Sequence, residues 1–209
     1  DAAVEAAREA PEVDGTRLAL WGMDLSAGTA LAAATDSLAV DAVIARFPVL
    51  SGATVLPAWV RPRLGGLTRG VADYPAAAVD RLRGVDADER GLRVPLFGEP
   101  NEVAAIAADG AARAVGDVLG REPGTAPARS LVTLQRHDVR QAVQELSCPT
   151  LFVAGEHDAV APPASVVAAS DGVRNASLVR VPASHYGALD GEELDRTLRY
   201  ELAFLDAEL

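Results

Sequence analysis

The chain has 209 residues, enough for one domain with an insertion and for a sizeable buried core. Its hydrophobic share of 49% is globular, and no apolar run approaches the roughly 20 residues of a membrane-crossing helix. The formal net charge of −11 argues against nucleic acid as a partner, because phosphate contacts need a basic face.

Residues 2–10 alternate Ala, Val, Glu and Arg as a short helix, closed by Pro11 and the turn Asp14-Gly15. Residues 17–21 read as a buried strand, followed by a glycine turn and a helix from Ser26 to about Asp36. Ala39 to Phe47 is near-continuously apolar, as strands of a parallel sheet covered on both faces are. From 53 the pattern changes to Pro and Gly clusters with amphipathic stretches at 74–83, 101–119 and 130–146, and Leu92 to Phe97 is its one strand signal. A helical insertion without a sheet of its own is expected there. Strand–helix order returns with Thr150–Ala154, a helix near 163–170, a strand Ser177–Val181 and a closing helix over 191–208. The organisation is thus a first core part at 1–52, an insertion at 53–145 and a second core part at 146–209. Alternating strands and helices predict an α/β fold with a mostly parallel sheet.

Asp24, Asp158 and His185 each follow the carboxyl end of an expected strand, where open α/β sheets place their sites. Asp24 stands in Gly22-Met23-Asp24-Leu25-Ser26, the layout of a nucleophile elbow G-x-S-x-G with aspartate in the serine place and Ser26 in that of the second glycine. A carboxylate there can attack carbon and form an ester, or act as a base. The bland alternatives are a helix cap for Asp24, worth about 0.5–2 kcal/mol, and an Asx turn for Asp158. If both carboxylates flank His185 they raise its pKa against the effect of burial, and activity falls toward acid pH. The three histidines lack metal-ligand spacing, so neither metal nor cofactor is expected, and His137 and His157 are assigned no chemistry. Cys148, the single cysteine, reads as a packed reduced thiol.

These motifs resemble the α/β-hydrolase superfamily, whose chain order is nucleophile, acid, histidine. The likeness runs over the whole chain and corresponds to the C-terminal two-thirds of such proteins, nearest the dienelactone-hydrolase and X-prolyl-peptidase-like branch. It is carried by Arg17 to Gly22 before the elbow, the strand ending in Ala45-Arg46-Phe47-Pro48, and Leu96 to Pro100 in the insertion. Pro149 to Asp158 matches the acid motif and Val181 to Tyr186 the histidine motif. The resemblance implies an α/β-hydrolase fold with a helical lid, Asp158 as the orienter of His185, and a substrate pocket with Met23, Leu25, Leu56, Trp59 and Tyr186.

Two departures narrow the reaction. Haloalkane dehalogenases place tryptophan after the nucleophilic aspartate, where this chain has Leu25, and epoxide hydrolases use two lid tyrosines, where it has only Tyr74. A small apolar ester, thioester or lactone is the expected substrate. A cyclase of polyketide type or a non-catalytic binding module on the same scaffold are the alternatives. No signal peptide is evident, so a cytoplasmic enzyme is expected, and arginine without lysine points to a GC-rich coding sequence of actinobacterial type. The family has strands before the elbow strand, so a preceding segment, a second chain or a second copy is expected to cover the edge at 17–21.

Overall fold

The computed structural model describes residues 2–52, 91–99 and 102–209. Helix α1 (Ala2–Glu9) leads to β1 (Ala19–Met23), α2 (Leu25–Asp36) and β2 (Ala42–Arg46). The first compact unit, Asp1–Leu50 with Asp138–Leu209, continues with α5 (Arg140–Val143), β7 (Thr150–Gly155), α6 (Pro163–Asp171), β8 (Ala176–Val181) and α7 (Gly191–Glu208). The four strands pair in the order β1-β2-β7-β8, every pair parallel.

Both faces of this sheet are covered, which explains the unbroken apolar runs. Val43, Ala45, Phe152 and Ala154 pack with Val4, Leu31, Val143 and Val166 of the helices on one side. Their neighbours Ala42, Ile44, Leu151 and Val153 pack with Phe204 of α7 on the other. Alternation with period two thus serves two cores, and burial rather than alternating polarity is what the sequence displays.

Two strand boundaries differ from expectation. β1 runs two residues further, to Met23, because its ladder with β2 continues to the elbow. β2 is shorter than 39–47: Asp41 uses its carboxylate to accept the Leu18 N–H at 2.8 Å, and Phe47 turns to φ 47°.

A second compact unit spans Ser51–His137. Its described part departs from the helical expectation. β3 (Arg93–Pro95) pairs antiparallel with β6 (Thr125–Pro127), and β4 (Phe97–Gly98) pairs parallel with β5 (Ile106–Ala107). Helix occurs at α3 (Ala111–Leu119), while the stretch expected as one helix over 130–146 is broken into α4 (Ser130–Thr133), a 3-10 turn and α5. Val94, Ala128 and Leu131 form its small core. β3 falls inside the strand signal at Leu92 to Phe97, whereas β5 and β6 are too short for a period to show in sequence.

Candidate active site

Asp24 alone makes the turn between β1 and α2, with φ 59° and ψ −129°. A side chain in this region costs on the order of 1–3 kcal/mol, so the surrounding bonds must impose it. The Asp24 N–H donates to the Arg46 carbonyl at 3.2 Å, and its own carbonyl accepts the Val49 N–H at 3.0 Å. The Ser26 hydroxyl accepts the Met23 N–H at 3.1 Å and donates to the Met23 carbonyl at 2.7 Å. Serine therefore staples the turn where the motif has its second glycine. The first glycine is a steric need: a Cβ on Gly22 would lie 2.5 Å from the Ser26 carbonyl oxygen. The Asp24 side chain makes no capping bond, so the cap alternative fails.

Asp158 lies in the turn after β7 and splits its oxygens between two tasks. Oδ1 accepts the N–H groups of Val160 and Ala161 at 2.8 and 2.7 Å, so the Asx-turn alternative holds as well. Oδ2 lies 2.7 Å from His185 Nδ1, with the Asp158 side chain fully buried. His185 sits in the loop after β8, 2% exposed, its ring edge-on to Tyr186 at 4.7 Å and 5.8 Å from that of Phe47.

His185 Nε2 faces Asp24 Oδ2 at 3.6 Å, an ion-pair contact too long for a hydrogen bond. The Tyr186 hydroxyl donates to the same Oδ2 at 3.2 Å. Asp24 Oδ1 and His185 Nε2 are both buried and have no hydrogen-bond partner among the described residues. A buried polar atom without a protein partner calls for a specific explanation, of which a catalytic role is one. Burial disfavours the imidazolium, but the hydrogen bond to Asp158 and the nearby Asp24 carboxylate outweigh it, and the His185 pKa is pushed up to about 9. Burial, then the charge of Asp24, push the Tyr186 phenol above its ordinary value, so it stays a donor.

The three residues expected from the sequence, Asp24, Asp158 and His185, therefore converge. Tyr186 touches Asp24 directly. Met23 packs into the core on the α7 side, and Leu25 opens α2 half-buried. Leu56, Trp59 and Tyr74 lie outside the described residues. His157 is exposed.

Sequence reasoning missed a buried network beside the elbow. Arg46 donates Nε and Nη2 to the Glu201 carboxylate at 2.8 and 2.6 Å, and both side chains are about 95% buried. The Trp21 indole N–H donates to Glu201 Oε2 at 3.3 Å, and the Arg46 guanidinium lies 5.3 Å from the Trp21 ring centre. The signal was present: a glutamate on the buried stripe of α7 between Thr197 and Phe204, and an arginine ending an apolar strand.

No family model and no curated protein matches the chain. Solved structures do. DcsB, in complex with its substrate analogue, superposes with a TM-score of 0.74 at 18% identity, over 99% of this chain and 70% of that one. The α/β hydrolase GrgF from Penicillium sp. sh18 gives 0.70 at 21% identity, over 99% and 69%. The enol-lactonase from Burkholderia xenovorans LB400 gives 0.57 at 18%, over 92% and 67%. The chain has the α/β-hydrolase fold. It spans about seven-tenths of DcsB and GrgF.

Proposed function

We propose that the chain carries the catalytic residues of a hydrolase for small apolar esters, thioesters or lactones, with Asp24 as nucleophile, His185 as proton carrier and Asp158 as its orienter. One observation carries this reading. A carboxylate with one buried oxygen, unbonded among the described residues, stands at the elbow 3.6 Å from an imidazole that a second carboxylate holds at 2.7 Å. Enol-lactonase and esterase neighbours on the same fold favour the ester or lactone class. Polyketide-derived lactones acted on in the cytoplasm belong to the same proposal.

A serine nucleophile must first lose a proton to histidine, whereas a carboxylate has none to lose. His185 accordingly starts charged. Asp24 Oδ1 attacks the acyl carbon, the bond to the leaving group breaks, and the leaving oxygen or sulfur takes the Nε2 proton. An acyl-aspartyl anhydride remains beside a neutral His185. Nε2 then accepts a proton from water, whose oxygen attacks the anhydride. The product acid leaves with the second water proton passing to solvent.

The test uses p-nitrophenyl acetate. The wild-type protein is expected to release p-nitrophenolate with a burst. His185→Ala is expected to gain one acetyl group, mapping to Leu18–Ala30, and Asp24→Asn none. Absence of release in the wild type sinks the ester reading.

A second reading is favoured by the same free oxygen. Oδ1 can take a proton from a substrate without the anhydride that acyl attack requires, as a cyclase would use it. That reading predicts no adduct in either variant. Tight binding of an apolar ligand without turnover would mark a binding module.

A further inference from the structure

The two oxygens of Asp24 are not equivalent. Oδ2 accepts the Tyr186 hydroxyl and faces His185 Nε2, whereas Oδ1 is buried and has no hydrogen-bond partner among the described residues. Resting on the covalent reading above, we infer that Tyr186 is a further catalytic residue, the donor that stabilises the oxyanion formed on Asp24 Oδ2 when the acyl-aspartyl intermediate is hydrolysed.

The geometry sets the sequence of bonds. Attack through Oδ1 makes that atom the bridging oxygen and leaves Oδ2 as the carbonyl oxygen of the intermediate. Water can then add at either of two carbons, the substrate's acyl carbon or Asp24 Cγ. Addition at Cγ, with His185 Nε2 taking one water proton, places the new negative charge on Oδ2. A hydroxyl already 3.2 Å from that oxygen needs no reorganisation to meet the charge. Collapse breaks the Cγ–Oδ1 bond, the product carboxylate departs carrying the old Oδ1, and Asp24 keeps one oxygen from water, whose remaining proton passes to solvent. Water at Cγ is also within reach of the base, because His185 Nε2 stands 3.6 Å from Oδ2 on the same carboxylate.

Tyr186 is well placed for this role: the residue is 5% exposed, and its ring packs edge-on against the His185 imidazole. The phenol remains protonated because burial and the Asp24 charge both oppose its ionisation.

The experiment combines Tyr186→Phe with a solvent isotope. With p-nitrophenyl acetate, Tyr186→Phe is expected to keep the burst but to slow steady-state release by about 10²–10³-fold, the usual cost of one oxyanion donor, with acetylated Asp24 accumulating. Independently of any variant, a single turnover of wild-type protein in H₂¹⁸O is expected to place the label in Asp24, read as a mass gain in the Leu18–Ala30 peptide. Label found in the acetate with Asp24 unlabelled overturns the proposal, as does wild-type breakdown in Tyr186→Phe. No burst in the wild type and no adduct in His185→Ala would instead overturn the covalent reading beneath it, and the Tyr186 role with it.

Discussion

His185 Nε2 stands 3.6 Å from Asp24 Oδ2, and the two side chains are 2% and 14% exposed. With Asp158 on the opposite nitrogen, the imidazole is clamped between two carboxylates, and Tyr186 packs edge-on against it. Because its pKa is raised to about 9, the free protein holds His185 as an imidazolium at neutral pH.

This reverses one expectation for the first half-reaction. An imidazolium serves that step as an acid, so kcat/KM, which reports the free protein, is expected to fall as pH rises through about 9. The acid-side loss expected from the sequence carries over to breakdown of the intermediate, where Asp24 has lost its charge and His185 must be neutral. Stopped-flow burst rates and steady-state rates from pH 5 to 10 separate the two limbs. A burst rate unchanged across pH 8–10 counts against His185 as the acid.

The same shift has a stability consequence. A group whose folded pKa lies above its ordinary 6.5 stabilises the fold fully below that value and loses the contribution as pH rises through about 9. The loss is expected to be on the order of 3 kcal/mol between pH 6.5 and 10. Urea midpoints across that window measure it, and Asp24→Asn should shrink the dependence. Equal midpoints for wild type at the two ends would contradict it.

Removing one partner of the Arg46–Glu201 pair leaves a buried charge unmatched. Glu201→Leu is expected to destabilise the protein by about 3–5 kcal/mol, and the double variant Arg46→Met with Glu201→Leu to recover most of it. Chemical denaturation of the three proteins decides. A single variant within about 1 kcal/mol of wild type would mean that the ion pair is not buried in solution.

Asp24 occupies φ 59°, where only the absence of a Cβ removes strain. Asp24→Gly and Asp24→Ala both lose the carboxylate, yet the glycine variant is expected to be more stable by about 1 kcal/mol. If alanine proves the more stable of the two, the elbow is relaxed.

β1 bonds to β2 through Leu18 and Asp24, which turns the backbone groups of Ala19 and Trp21 to the outer edge. Trp21 is also 53% exposed. Among the described residues no strand pairs with this edge, and such an edge recruits another strand, so the 209-residue chain is expected to self-associate, and Trp21→Lys to reduce association. Native mass spectrometry showing a wild-type monomer at tens of micromolar would refute this.

The sequence by itself determined the strand order along the chain, the elbow at Gly22–Ser26, and the identities of Asp24, Asp158 and His185. It could do so because local chemistry writes these features: apolar runs mark doubly covered strands, and turn residues mark where they stop. Only the tertiary structure decided which atom meets which. Asp158 shares its oxygens between a turn and an imidazole because a loop after β8 returns to one after β7. Tyr186 reaches Asp24 across 162 positions. Arg46 and Glu201 are 155 apart, and a single charged residue on an apolar stripe does not name its partner. The strand at 93–95 shows in the run Leu92 to Phe97, but those at 106–107 and 125–127 do not, because pieces of two or three residues have too few side chains to show a period.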